Sequence, residues 1–300
     1  MSAPEGPGLL LHEDAPLFRE AVAYTAAETG FAPRLIEKDY FCTVVLRHLA
    51  REGSPLVFRG GTCLAKVHLG FYRLSGDLDY VIPTAASATR GERSRRAEPV
   101  KRDVAAIAGA LSGLQVLQAL TGSNSSAQYN AVLVYRSLLG AQDETIRIEI
   151  GLREPLLLPP ASAPAQTLLL DPILGTAAAQ PVTTSCLSRR EAMAEKLRAA
   201  LSRREPAIRD FYDVDQAVER LGWSTLEPGF VGLVREKLRM PGNAAVDVSP
   251  ARLAALRSQL DSELKPVLRD ADFERFDLER AFRAVAAVAA ALPSAQPQDR

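Results

Sequence analysis

The sequence predicts an α+β chain in two parts. A small mixed sheet with flanking helices runs to about residue 187, a helical lobe follows from 188 to about 292, and residues 293–300 read as a frayed tail. Three observations predict this. The apolar run Leu56 to Phe58 meets Gly60 and Gly61 and then a helix-like Leu64-Ala65-Lys66-Val67, the pattern of strand, tight turn and helix start. Tyr129–Tyr135 and Thr145–Ile150 each alternate across a turn holding Gly140, as a β-hairpin does. Beyond Ser188 the apolar residues recur at helical spacing, with Met193, Leu197, Ala200 and Leu201 as the first stripe.

Composition narrows the function classes. The 300 residues are 47% hydrophobic, enough for one large or two ordinary domains. The 36 basic and 36 acidic side chains cancel, so any contact with a nucleic acid must come from a local patch. Cys42, Cys63 and Cys186 are odd in number, far apart in sequence and without CxxC or histidine spacing, which argues against a disulfide framework or a zinc site. They read as structural residues, as do the scattered His12, His48 and His68. No basic-then-apolar leader opens the chain and no apolar run approaches ~20 residues, so the expectation is a cytoplasmic protein that does not engage a membrane.

Taken in order, Asp14-Ala15-Pro16 opens a helix that Gly30 closes. A second helix is expected from Pro33 to Glu52, carrying Glu37-Lys38-Asp39-Tyr40 as a face whose charges pair locally at short spacing. Backbone N–H groups at the helix start after Gly60, Gly61 and Thr62 suit a phosphate, because they are unpaired and lie at the positive end of the dipole. Asp77 and Asp79 are two apart in a strand-like segment, so both carboxylates leave one face while Leu78 and Tyr80 leave the other. Two acids on one face call for a hard cation, Mg²⁺ or Mn²⁺. Ser75 is expected to brace the turn before Asp77.

Six basic residues follow within thirteen, Arg90 to Arg102, interleaved with Glu92 and Glu98. They read either as a solvated helix or loop or as a backbone-binding patch for RNA. On the second hairpin strand Ile146, Ile148 and Ile150 face one way and Arg147 and Glu149 the other, so if the apolar set packs on the helices Glu149 lies on the open face, free for a site or half of a surface pair. Residues 153–168, rich in proline and alanine, read as a loop, and Pro181–Leu187 as a last strand. Ser188-Arg189-Arg190-Glu191 fits a capping box, and Arg189, Lys196 and Arg203 form a basic stripe on the helix it opens. Arg209–Leu221 is amphipathic, with Phe211, Val214, Val218 and Leu221 inward and Asp210 and Asp213 beside them. Helices with breaks at Pro228, Pro241-Gly242 and Pro266 fill the rest, including Leu253–Leu268 and Phe273–Leu292.

Gly60-Gly61-Thr62, a spacer, and Ser75-x-Asp77-x-Asp79 resemble the core of the polymerase-β-like nucleotidyltransferases. With Glu37-Lys38-Asp39-Tyr40, Glu195-Lys196-Leu197 and Arg209-Asp210-Phe211-Tyr212-Asp213 the chain is similar to the AbiEii/AbiGii toxin family over roughly residues 36–221. Thr62 stands where the superfamily often has serine, and the hydroxyl is kept. The resemblance implies a nucleotidyltransferase core and helical lobe with the active site in the cleft between them. It implies Asp77 and Asp79 on the metal, Gly60, Gly61 and Thr62 around the β/γ-phosphates, and Lys66 and Lys196 neutralising the triphosphate. Asp210 becomes an active-site acid, and Glu149 or a metal activates the acceptor hydroxyl. It further implies an NTP substrate, the 3′ end of tRNA as acceptor, and a separately encoded antitoxin as partner. Two rivals stay open: a protein nucleotidyltransferase resembling an AMPylator, and a non-catalytic GTP- or ATP-binding regulatory module.

Overall fold

Among the described residues seven strands form one sheet: β1 (Val57–Arg59), β2 (Asp77–Val81), β3 (Leu114–Ser123), β4 (Gln128–Arg136), β5 (Asp143–Gly151), β6 (Ala161–Ala165) and β7 (Val182–Cys186). Their spatial order is β3-β4-β5-β2-β1-β7-β6. The β2–β5 and β1–β7 pairs are parallel and the others antiparallel, so the sheet is mixed as expected. The computed structural model describes residues 11–292, and the tail expected at 293–300 lies outside the described residues. The chain divides between Ser188 and Arg189 into two compact units, the first holding the sheet and the second, among its described residues, containing helices and no strand.

In the first unit, α1 (Ala15–Thr29) is capped by the Asp14 side chain, which accepts from the Leu17 N–H, and ends at Gly30 with φ 75°. Helix α2 (Pro33–Leu49) stops three residues short of the expected Glu52, because Ala50 leaves helical geometry and Gly53 turns the chain at positive φ. Phe18, Tyr40, Phe41, Val44 and Val45 of these helices are buried with Phe58, Leu78, Tyr80, Tyr135, Ile148 and Ile150 of the sheet. Phe41 stacks on Tyr135 at 4.0 Å between ring centroids. Strand alternation does the rest: sending Leu78, Tyr80, Ile148 and Ile150 into this core sends Asp77, Asp79 and Glu149 to the opposite face.

The chain after Gly60 is helical to Leu69, first as α3 (Gly60–Cys63) and then as a π-helical turn, Leu64–Leu69. The basic segment is a helix, α4 (Arg90–Ala105), started by a reciprocal Thr89–Glu92 capping box and followed by α5 (Ile107–Ala110). Two strands depart from the sequence reading. β3 gives little signal because most of its side chains are exposed on a strand at the end of the sheet. Part of the expected loop 153–168 is β6, whose Pro164 is tolerated because β6 is the strand at the other end.

The second unit contains α6 (Arg189–Ser202), α7 (Ile208–Leu221), α8 (Pro228–Arg239), α9 (Pro250–Arg257), α10 (Asp270–Arg275) and α11 (Leu278–Ala291). Pro228 does not break a helix but begins one, in a first-turn position that needs no N–H donor, and the Glu227 carboxylate caps the Gly229 N–H. The expected run Leu253–Leu268 is α9, then a π-helical turn (Leu260–Leu264) and a 3₁₀ turn (Lys265–Val267). In α7 Phe211 and Val214 are buried as expected, with Phe211 stacked on Phe282 at 5.8 Å, but Leu221 is exposed at the helix end.

Candidate active site

The core-facing alternation sets a lateral row of polar residues on the other side of the sheet. Asp79 pairs in register with Arg59 of β1 on one side and Glu149 of β5 on the other, and Glu149 pairs with Asn130 of β4. Asp77 lies two residues back, opposite Arg147. Neighbouring strands run ~4.8 Å apart, so the Asp79 and Glu149 side chains leave the sheet side by side. All three acids are half-buried. Like charges at that separation repel unless a cation lies between them, and a cluster of carboxylate oxygens is the donor set of a hard divalent ion. The row therefore offers the oxygen-donor type that suits Mg²⁺ or Mn²⁺.

The glycine turn is fitted to this row. Gly60 has φ 77°, and a Cβ there would sit 2.1 Å from Asp79 Oδ2. A Cβ on Gly61 would sit 2.3 Å from a guanidinium nitrogen of Arg73. The sequence asks for glycine so that a ligand can approach; the protein's own Asp79 and Arg73 already require it. Arg59, the residue before the helix, makes no side-chain cap, so the N–H groups at the start of α3 are not closed off by a capping side chain. The Thr62 hydroxyl donates to the Asp77 carbonyl oxygen. It thus makes the brace to β2 that the sequence assigns to Ser75, which is half-buried in the turn, and is committed there rather than to a phosphate.

Lys66 is corrected outright. Its side chain is 0% exposed, and its ammonium lies 2.7 Å from the Asp39 carboxylate and donates to Thr43 Oγ1 at 2.7 Å. A cation enclosed in that way cannot reach a triphosphate. The local pairing expected for Glu37-Lys38-Asp39-Tyr40 is corrected with it. Glu37 accepts from the Ser137 hydroxyl and the Leu138 N–H, Asp39 from the Leu168 N–H, and the Tyr40 hydroxyl lies 2.8 Å from His12 Nδ1. The segment ties α2 to three distant stretches of chain. Burial raises the Glu37 carboxyl above its ordinary value, against the lowering pull of its Ser137 bond. Lys38 alone points elsewhere: its Nζ lies 2.9 Å, and its Cε 2.2 Å, from where a Cβ on Gly76 would be, next to Asp77.

The helical unit holds a second charged cluster. Lys196 Nζ lies 2.9 Å from both Asp210 Oδ1 and Asp213 Oδ2, and Arg203 reaches Asp210 Oδ2 at 3.1 Å. Asp210 and Asp213 are buried, Lys196 is 14% exposed, and Arg203 is 54% exposed. Glu195, the residue before Lys196, bonds to Lys237, which also meets the buried Glu191 at 2.6 Å.

Sequence reasoning missed Lys38, Arg73 and Asn130, which reach the row or its turn only through the tertiary fold. For Lys38 the Glu-Lys-Asp-Tyr run ahead of the glycines was a signal; Arg73 and Asn130 had none. It also separated residues that the fold unites. Cys63, His68 and Cys186 place a ligand-type atom each within 4.8 Å of one another. Hydrogen bonding with Cys63 and with His68 holds the Cys186 thiol below its ordinary range, although burial opposes it.

A sequence-family model described as Nucleotidyl transferase AbiEii toxin, Type IV TA system, matches residues 44–289. The chain belongs to this family. The match starts after Glu37–Tyr40 and runs well past residue 221, where the motif resemblance ends. This AbiEii-family protein is therefore a nucleotidyltransferase, an enzyme that takes a nucleoside triphosphate, in a toxin family whose type IV systems pair the toxin with an antitoxin. Its fold is similar to that of JHP933 from Helicobacter pylori, at a TM-score of 0.50 and 14% identity, over 87% of this chain and 92% of that one. A second H. pylori structure, at 0.46 and 15% over 87% and 95%, adds no argument at that score. No curated protein matches the chain. Among the described residues no helix is long and apolar enough to cross a membrane.

Proposed function

We propose that this AbiEii-family enzyme moves a nucleoside monophosphate from an NTP to the 3′ end of tRNA, with Mg²⁺ or Mn²⁺ held by Asp77 and Asp79, and so blocks translation. The observation that carries the chemistry is the side-by-side pairing of Asp79 with Glu149 on the polar face, two residues from Asp77. The bound metal would supply charge neutralisation at the phosphates. The chain's own residues do the rest. The N–H groups at the start of α3 orient the phosphates, since no side chain caps them. Lys38, beside Gly76, takes the charge-neutralising role that the buried Lys66 cannot. Glu149 accepts the proton of the acceptor hydroxyl as its oxygen attacks the α-phosphorus and pyrophosphate departs. The family resemblance assigns Lys196 to the triphosphate and Asp210 to the active-site acids; within the helical unit, Asp210 and Asp213 together hold the Lys196 ammonium.

The tRNA acceptor rests on the family, and the exposed arginines of α4, Arg90, Arg95 and Arg102, give an RNA backbone something to meet. The test is transfer of label from each NTP in turn, with Mg²⁺, into total tRNA or total cell protein, with Asp77→Ala as control. Label in tRNA that the variant loses supports the reading. Label in protein replaces the acceptor, and Mg²⁺-independent NTP binding without transfer overturns the metal assignment.

A further inference from the structure

We propose that Cys63, His68 and Cys186 form a binding site for a thiophilic d¹⁰ cation of the Zn²⁺ class, apart from the Asp77–Asp79–Glu149 row. The three side chains come from the end of α3, the π-helical turn after it, and β7, and their donor atoms lie within 4.8 Å of one another. A tetrahedral zinc with bonds of about 2.3 Å to sulfur needs sulfurs roughly 3.8 Å apart, so the donors would close by no more than about 1 Å. Both cysteines are 0% exposed and His68 is half-buried, which leaves His68 as the side from which a cation and a fourth, water ligand could enter.

Two features beyond proximity mark this as a built site. His68 Nε2 lies 3.0 Å from the Leu187 carbonyl oxygen, which can only accept, so Nε2 carries a proton, and Nδ1 is the nitrogen whose lone pair a cation could take, in place of any proton it shares with Cys186. A histidine whose other ring N–H is fixed by a main-chain carbonyl is the usual outer-shell arrangement of a metal ligand. The backbone on both sides is also fixed before any metal arrives. Cys186 pairs in parallel register with Phe58, the Leu187 N–H donates to the Phe58 carbonyl at 2.9 Å, and Phe58 leads directly into the turn that ends at Cys63. Charge closes as well: two thiols lose their protons to solvent, and two thiolates with one neutral imidazole exactly offset a dication, so no net charge is buried.

Cobalt is the probe. Reduced, chelator-stripped protein titrated with Co²⁺ under anaerobic conditions is expected to develop a thiolate-to-cobalt charge-transfer band, saturating at one ion per chain and displaced by Zn²⁺. Cys63→Ser and Cys186→Ser should lose the band, while Cys42→Ser, which removes a buried thiol outside the cluster, should keep it. His68→Gln should weaken Co²⁺ at least about tenfold. Circular dichroism melts of each metal-free variant show whether it is folded, and Zn²⁺ should raise the melting temperature of the wild type but not of Cys186→Ser. No band in folded, reduced wild type overturns the site, as does a band that survives Cys186→Ser. A Cys63–Cys186 disulfide whose reduction yields no metal uptake overturns it too. None of these readouts uses nucleotide transfer.

Discussion

Two groups of acids in the sheet-bearing unit differ in what the fold has done with them. Asp39 and Glu37 on α2 are 3% and 0% exposed, and each is met by donors from far along the chain: Lys66, Leu168, Ser137 and Leu138. Asp79 and Glu149 are half-buried and set against each other across two strands, with Asp77 in the same face. A buried, fully satisfied charge is expensive to disturb and tells about stability. Carboxylates lined up side by side at a partly open surface cost stability and persist where a cation or a reaction uses them. The sequence motifs do not make this distinction, since Lys66 and Asp77 both fall within the pattern shared with the family; the fold does.

Breaking the first group should give the largest effect. Lys66→Met leaves Asp39 buried without its cation and is expected to cost about 3–5 kcal/mol in urea unfolding. Adding Asp39→Asn should return much of that loss, because the orphaned charge is gone. If Lys66→Met instead leaves stability intact and raises the KM for NTP, Lys66 belongs to the second group after all. Breaking the second group should do the reverse. Asp77→Asn is expected to lower kcat by about 10²–10³-fold at unchanged or slightly higher stability, Asp79→Asn to lower it as much, and Glu149→Gln by about 10²-fold. A loss of stability of several kcal/mol in any of the three would make the row structural.

Lys38 tests the boundary between the groups, because it shares a segment with Glu37 and Asp39 yet its side chain lies against Gly76, the residue before Asp77. Lys38→Ala is expected to raise the KM for NTP about tenfold, roughly 1.4 kcal/mol, with little change in melting temperature. An unchanged KM would return the whole segment to a structural role.

Much of this fold was legible because its signals are local. The cap at Asp14, the stop at Gly30, the hairpin and the alternation in β2 and β5 each follow from a few adjacent residues, and alternation put Asp77 and Asp79 on one face, whereas placing Glu149 beside them takes the β2–β5 pairing. What was illegible is settled at long range. Strand β3 lacks a buried stripe, Pro164 can be in a strand only if that strand is at an edge, and Lys66 reads as a phosphate ligand until Asp39, 27 residues earlier, is placed against it. The same holds for Cys186, which meets Cys63 and His68 only because β7 lies along β1.

The smallest effect separates, by sign, Glu37 of the satisfied group from Glu144 on β5, another buried and hydrogen-bonded acid. Hydrogen bonds from Arg34 hold the Glu144 carboxyl below its ordinary 4.5, with burial opposing, whereas burial holds Glu37 above the same value. A depressed carboxyl adds stability that is present above the unfolded value and lost as pH falls through the folded one. A raised carboxyl works the other way, and its contribution shrinks as pH climbs from the unfolded value through the folded one. The stability difference between wild type and Glu144→Gln should therefore be full at pH 7, about 1 kcal/mol or less because Arg34 is 70% exposed, and fade as the solution is acidified below about 4.5. The difference for Glu37→Gln should instead be larger near pH 4.5 than at pH 7. Urea titrations at a series of pH values measure both slopes. If Glu144 shows the slope of a raised carboxyl, the Arg34 bond does not dominate it; if Glu37 shows that of a depressed one, its Ser137 and Leu138 bonds outweigh its burial.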